Sequence, residues 1–135
     1  MTDIFVYGTL KEGQPNHFIM KNDTNGQAEF VAYARTVDRY PLVIATKYNI
    51  PFLLNVSGMG QRVHGEIYRV DEKMLEFLDL EVQDGPGGGE HTLKNGSIVE
   101  AFVYSTKTYE PEWLQKPTYE SYNSYGDHGL LYHED

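Results

Sequence analysis

Short apolar runs, each closed by a turn residue, recur along this 135-residue chain and constrain its fold more than any other feature. Two of the runs begin at a proline, Pro41 and Pro51, which suits the first position of a strand. Strands are predicted at residues 4–7, 30–37, 41–44, 51–54, 62–70 and 99–104. About six short strands with few helices favour a curled or barrel-like mixed sheet over a βαβ array, so the predicted fold class is α+β. No repeat or internal boundary interrupts the pattern, and a single domain over residues 1–135 is expected.

One segment, residues 71–81, has helical periodicity instead. Asp71 is placed to cap it, and at about 100° per residue three apolar side chains share one face: Met74, Phe77 and Leu78. Glu76 points toward water, whereas Glu81 projects from the apolar stripe if the helix reaches it. A helix that frays earlier leaves Glu81 solvated. A continuous helix gives a partly desolvated carboxylate, whose raised pKa would suit a general base.

Two shorter segments are also assigned from local residue preferences. Residues 18–21 form a short helical piece, with Asn16 as the expected N-cap. The run GPGGG at residues 85–89 is expected to be a flexible loop tip.

Charge and composition exclude several classes of function. The formal net charge is −9, with 20 acidic and 11 basic residues, so a nucleic-acid phosphate backbone would be repelled. There is no cysteine, which excludes disulfides, a thiol nucleophile and a cysteine-based zinc site. The N-terminal residues lack the features of a signal peptide and no run is long enough to span a membrane, so a cytoplasmic location is expected. The five histidines show no metal-ligand spacing, so no metal is expected.

Several motifs, taken together, resemble one enzyme family. The chain opens with FVYGTLK at residues 5–11 and GQPNH at 13–17, continues with YPLVIA at 40–45 and NIPFLL at 49–54, and ends with YESYNSYGDHGL at 119–130. This combination closely resembles the γ-glutamylamine cyclotransferases of the γ-glutamylcyclotransferase-like (AIG2-like) superfamily. The resemblance covers nearly the whole chain except about residues 80–98.

The resemblance implies a small mixed β-barrel flanked by short helices and a specific reaction. Such enzymes cleave L-γ-glutamyl amines, typically ε-(L-γ-glutamyl)-L-lysine from transglutaminase crosslinks, into a free amine and 5-oxoproline, with no metal or organic cofactor. The α-amino group of the substrate attacks its own γ-carbonyl carbon, so the protein must fold the substrate, move protons and stabilise an oxyanion. Tyr7, Gly8, Thr9 and Leu10 are expected to bind the glutamyl group, with backbone N–H groups around Gly8, Thr9 and Leu10 as the donors. The expected partner is therefore a small molecule, and the protein is expected to be a monomer.

The region of the catalytic base departs from the family pattern. In the family, a helix ending Phe-Leu-Asp-x-Phe-Glu carries the catalytic glutamate, and a strand with Tyr-x-Arg follows. Here Phe77-Leu78-Asp79 is followed by Leu80-Glu81-Val82, and Tyr-x-Arg does not occur. An alignment that drops one residue makes Glu81 the base, whereas one that drops a longer piece puts Glu81 in the next strand and removes the base.

Three functions stay open on this basis. The first is an active γ-glutamylamine cyclotransferase with Glu81 as the base. The second is an impaired relative that only binds γ-glutamyl or 5-oxoproline ligands. The third is a cyclotransferase for other γ-glutamyl compounds.

Overall fold

In the part of the chain that the structure describes, five strands close into a barrel, accompanied by a separate two-stranded hairpin and three short helices. The computed structural model describes residues 2–46, 49–81, 87–93, 98–103 and 109–123, with the backbone alone for residues 79–81, 87–93 and 99. The elements are β1 (Thr2–Val6), α1 (Phe18–Lys21), β2 (Ala28–Tyr40), β3 (Leu42–Ala45), β4 (Ile50–Leu53), β5 (Gln61–Val70), α2 (Glu72–Glu81), β6 (Gly87–Leu93), β7 (Ile98–Val103) and a 3₁₀ helix (Pro111–Gln115).

The barrel is mixed, as the sequence predicts. Its strand order is β1-β5-β2-β6-β7, and each of these neighbouring pairs is antiparallel. The parallel pair of β1 with β7 closes the ring, with Ile4 opposite Phe102. Strands β3 and β4 form their own antiparallel hairpin, in which Leu42 pairs with Leu53. The predicted α+β barrel with short helices is therefore confirmed.

Strand alternation divides the apolar side chains between the two faces of the barrel. One buried cluster combines residues of β1, β2, β5 and β7 with the hairpin, and it includes Phe5, Val63 and Ile67. The other cluster lies where the helices cover the sheet; it joins Ile4 and Val6 of β1 and Tyr68 and Val70 of β5 to Met20 of α1 and to Met74 and Leu78 of α2. Strands β1 and β5 contribute to both clusters and so bury both of their faces, which fixes their register.

Helix α2 has the cap and the face that its sequence predicts. The Asp71 carboxylate accepts a hydrogen bond from the Met74 N–H at 2.8 Å, and Met74 and Leu78 are fully buried while Glu76 is exposed. Gly26 packs directly against this cap with φ +132°; a Cβ there would lie 2.4 Å from the Met74 nitrogen. The start of the helix is therefore held by a residue 45 positions earlier than Asp71, at a site that only glycine fits.

Two local predictions are wrong. The N-cap of α1 is His17, which makes no side-chain capping bond. Asn16 is not the cap because its side-chain amide donates to the Thr9 hydroxyl instead. Residues 87–89 of the glycine-rich run form the start of β6 and pair with β7, with Gly87 opposite Val103. Backbone pairing with a neighbouring strand stabilises these glycines despite their low strand propensity. Residues 85 and 86 lie outside the described part.

Candidate active site

The turn after β1 carries the four residues predicted to bind substrate, and we call residues 7–10 the donor loop. The Tyr7 hydroxyl accepts a hydrogen bond from the Leu53 N–H of β4 at 3.3 Å. Gly8 is buried beside the same strand, and a Cβ at this position would lie 2.7 Å from Cγ of Pro51. Its φ is not positive, so Gly8 is required by the close approach of β4 and not by an unusual backbone angle. The hairpin of β3 and β4 therefore forms one wall behind the loop.

Three carbonyl groups of the donor loop, those of Gly8, Thr9 and Leu10, are held by hydrogen bonds. The Gly8 carbonyl accepts from the Lys11 N–H at 3.1 Å, and the Thr9 carbonyl accepts from the Asn16 N–H at 2.9 Å. The Leu10 carbonyl lies 2.8 Å from His17 Nδ1, which must carry the hydrogen because a carbonyl oxygen only accepts. The Asn16 side-chain amide also donates to the Thr9 hydroxyl at 2.9 Å. The QPNH turn thus serves to fix the loop.

These carbonyl contacts determine where the loop's N–H groups point. In a planar trans peptide the C=O and the following N–H point in opposite directions. The Thr9 and Leu10 N–H groups therefore point away from the partners that bind the Gly8 and Thr9 carbonyls. Within the described ranges, no group accepts a hydrogen bond from either N–H. Two adjacent backbone donors of this kind are suited to an oxyanion or a carboxylate.

A buried carboxylate lies beneath the exit of the donor loop. Glu66 of β5 is 6% exposed, and its Oε1 accepts hydrogen bonds from the Tyr68 hydroxyl at 2.8 Å and from the Glu12 N–H at 3.0 Å. Burial, followed by the hydrogen bond to Glu66, raises the pKa of Tyr68 far above its ordinary value, so this hydroxyl keeps its proton and donates.

A buried ammonium group connects the exit of the donor loop to residues 121 and 122. Lys11 is 9% exposed, and its Nζ donates to the Tyr122 carbonyl at 2.6 Å and to the Ser121 hydroxyl at 3.3 Å. Burial lowers the pKa of Lys11, while the negative charge of Glu66 raises it. We call residues 119–123 the tail segment; Tyr122 is buried in the first apolar cluster and Tyr119 packs against that cluster.

The predicted base, Glu81, is the last residue of α2. Helix α2 reaches it and β6 begins only at Gly87, so the backbone agrees with the helical assignment of Glu81 and not with its assignment to the next strand. The position of its carboxylate lies outside the described part. Leu10 and Phe77 both pack against the apolar cluster that contains Leu78, one turn before Glu81.

The described residues contain neither a metal-binding cluster nor a membrane-spanning helix. No three histidine, aspartate or glutamate side chains there are grouped so that they could hold a metal ion. No helix there is both long and apolar enough to cross a membrane. Residues 124–130 of the motif at 119–130 lie outside the described part.

Lys11 and Glu66 are the residues that sequence reasoning missed. A signal for Glu66 was present in RVHGEIYRV, because Glu66 shares strand parity with Tyr68 and Val70, which belong to the apolar cluster under the helices. Lys11 gave no such signal, since its acceptors are 110 and 111 residues away.

The fold and this site define an AIG2-like protein. The crystal structure of an AIG2-like protein from Mus musculus superposes with a TM-score of 0.96 at 47% identity, covering 100% of this chain and 97% of that one. A family model described as "Gamma-glutamyl cyclotransferase, AIG2-like" matches residues 4–124. The chain belongs to this family.

The chain is also similar to vertebrate proteins named gamma-glutamylaminecyclotransferase. Gamma-glutamylaminecyclotransferase B of Danio rerio is 59% identical over 138 residues, covering 96% of this chain and 72% of that protein. Gamma-glutamylaminecyclotransferase of Homo sapiens is 46% identical over 149 residues, covering 98% of this chain and 96% of that protein.

Proposed function

We propose that this protein is a γ-glutamylamine cyclotransferase, which converts ε-(L-γ-glutamyl)-L-lysine and related γ-glutamyl amines to a free amine and 5-oxoproline. The observation that carries the proposal is the orientation of the donor loop, with the Thr9 and Leu10 N–H groups turned away from the protein's own acceptors. The names of relatives that match over nearly the whole chain support the same substrate class.

The reaction is an internal transfer of the acyl group. The substrate's α-amino nitrogen attacks the γ-carbonyl carbon, and the bond from that carbon to the amine nitrogen breaks. Two protons leave the α-ammonium and two are taken up by the leaving nitrogen, so lactam and alkylammonium form without net proton release. The loop's N–H groups stabilise the negative oxygen of the tetrahedral intermediate or the α-carboxylate, and they require no rearrangement to do so.

We assign the proton transfer to Glu81. One carboxylate accepts a proton from the α-nitrogen and returns it to the leaving nitrogen. The assignment is supported by the position of Glu81 at the end of a helix that shares an apolar cluster with Leu10. Tyr7 and Gly8 take part in this proposal as the residues that set the loop against β4.

Product release from ε-(γ-glutamyl)lysine, followed by chromatographic detection of lysine and 5-oxoproline, tests the activity. A panel with other γ-glutamyl compounds separates it from a cyclotransferase of different preference. Thr9→Pro removes one of the two N–H donors, so calorimetry with 5-oxoproline should show weaker binding than the parent. Binding by the parent without turnover would identify an impaired relative; equal binding by parent and Thr9→Pro would refute the assigned donor.

The proposal includes action on a small molecule by a monomer in the cytoplasm. Size-exclusion chromatography with light scattering tests the oligomeric state, since a monomer has a mass of 15.5 kDa.

A further inference from the structure

Glu66 is a charged group at a position where strand geometry calls for an apolar one. It lies opposite Val6 of β1 and Tyr33 of β2. Its neighbours of the same parity on β5, Tyr68 and Val70, belong to the apolar cluster under the helices. Burying a carboxylate is unfavourable unless hydrogen bonds and opposite charge compensate for the loss of water. Apolar packing therefore does not explain why a carboxylate is buried at this position.

The contacts of Glu66 lead to the donor loop. Its acceptor oxygen binds the N–H of Glu12, two residues beyond Leu10, at 3.0 Å. The Tyr68 hydroxyl binds the same oxygen at 2.8 Å and fixes the carboxylate on the strand. A residue of the barrel wall thus holds the backbone where the loop ends.

Lys11 extends this connection to the tail segment. Its two acceptors, the Tyr122 carbonyl and the Ser121 hydroxyl, are neutral, so the charge that compensates the ammonium is that of Glu66. The tail segment is itself anchored, because the Glu120 carbonyl accepts from the His64 N–H at 2.6 Å and the Tyr119 N–H donates to the Leu42 carbonyl at 3.0 Å.

We propose that Glu66 and Lys11 are positioning residues that keep the Thr9 and Leu10 N–H groups in their binding orientation by tying the loop exit to β5 and to the tail segment. That these N–H groups bind substrate rests on the proposed function, whereas the ordering of the loop by Glu66 and Lys11 does not depend on it. Neither side chain touches the reacting atoms in this assignment. The loop is then held at its entry by β1, along its carbonyls by Asn16 and His17, and at its exit by the buried pair.

The test compares Glu66→Leu, Glu66→Gln and Lys11→Met with the parent. Glutamine keeps an oxygen that accepts from Tyr68 and Glu12, whereas leucine removes it. In ¹⁵N relaxation, the Thr9 and Leu10 amides should fall from order parameters near 0.85 to below about 0.6 in Glu66→Leu and Lys11→Met. Glu66→Gln keeps both hydrogen bonds and loses only the charge that compensates Lys11, so its two amides should stay more ordered than those of Glu66→Leu. Binding of 5-oxoproline and kcat/KM should weaken by about tenfold or more in the two disruptive variants.

Matched controls separate positioning from loss of stability. Val70→Ala creates a cavity in the same apolar cluster and should lower the melting temperature without loosening the two amides. Glu29→Leu removes an exposed carboxylate from β2 and should change neither the melting temperature nor the order of the Thr9 and Leu10 amides.

The outcomes distinguish this inference from the proposed function. Loosened Thr9 and Leu10 amides in Glu66→Leu and Lys11→Met support the positioning role even if the parent shows no turnover, in which case the proposed function fails alone. Amides that keep the parent's order in both variants, or that are already disordered in the parent, overturn the positioning role whatever the activity.

Discussion

Replacing Gly8 by alanine introduces a methyl group where β4 approaches the donor loop. The new Cβ would lie 2.7 Å from Cγ of Pro51, whereas ordinary contacts begin at 3.4 Å. Either the loop or the proline ring must therefore move by about 0.7 Å, the difference between those two distances. Displacements of about 1 Å at a reacting centre cost up to about 10² in rate.

We therefore expect Gly8→Ala to lower kcat/KM for ε-(γ-glutamyl)lysine by roughly 10- to 100-fold, equivalent to about 1.4–2.7 kcal/mol. The affinity for 5-oxoproline should fall in parallel, because both the substrate and the product need the loop donors. Release of 5-oxoproline and calorimetric titration measure the two effects separately.

A second substitution makes this prediction specific to the contact. Pro51→Ala removes Cγ and leaves only the Cβ contact of 3.6 Å, which is an ordinary distance. In that background, Gly8→Ala should cost no more than about threefold, so the two changes should be strongly coupled in a double-mutant cycle. The same large penalty with and without the proline ring would refute the steric explanation, as would a fully active Gly8→Ala.

Three further predictions concern α2. Glu81→Gln should lower kcat by about 10²–10⁴ with little change in KM, and Glu76→Gln on the exposed face should be nearly silent; turnover that survives the first change within about threefold excludes Glu81 as the base. Gly26→Ala should destabilise the protein by about 2 kcal/mol or more in urea denaturation, since it strains the backbone and displaces the Met74 nitrogen; a loss below about 0.5 kcal/mol would contradict this. Backbone hydrogen bonds, first of all that from Met74, hold the pKa of Asp71 below its ordinary value of 3.8. The stability that this cap contributes is thus present above pH 3.8 and lost as pH falls through the lowered pKa; Asp71→Asn should flatten that part of the acid-denaturation curve, and an unchanged curve would disprove the linkage.

All of the described strands except β6, together with α2, could be predicted because their information is local. Alternation and helical periodicity repeat within ten residues, and the Asp71 cap is a contact with Met74, three residues away. The glycine-rich run was misassigned because its structure depends on pairing with β7, which no residue of the run encodes.

The candidate site likewise has parts that the sequence predicts and parts that depend on distant contacts. A motif marked the donor loop, but the orientation of its N–H groups depends on which carbonyl meets Asn16 or His17, and sequence spacing alone does not give that geometry. Asn16 shows the difficulty directly, because the preference of asparagine for helix caps predicted one role while its contact with Thr9 gives it another. Glu66 and Lys11 depend on contacts over 54 and 111 residues, which only the closed barrel creates.

The bond between Lys11 and Tyr122 also has a consequence for synthesis on the ribosome. The two residues are 111 positions apart, and at about 5–20 residues per second the second follows the first by roughly 6–22 s. Strand β1 likewise waits for β7 before the barrel can close. During that interval the ammonium of Lys11 and the unpaired edge of β1 face the surroundings of the nascent chain. The donor loop therefore becomes ordered only late in synthesis. An incomplete chain would contain the whole YGTL motif but would lack the residues that bind Lys11.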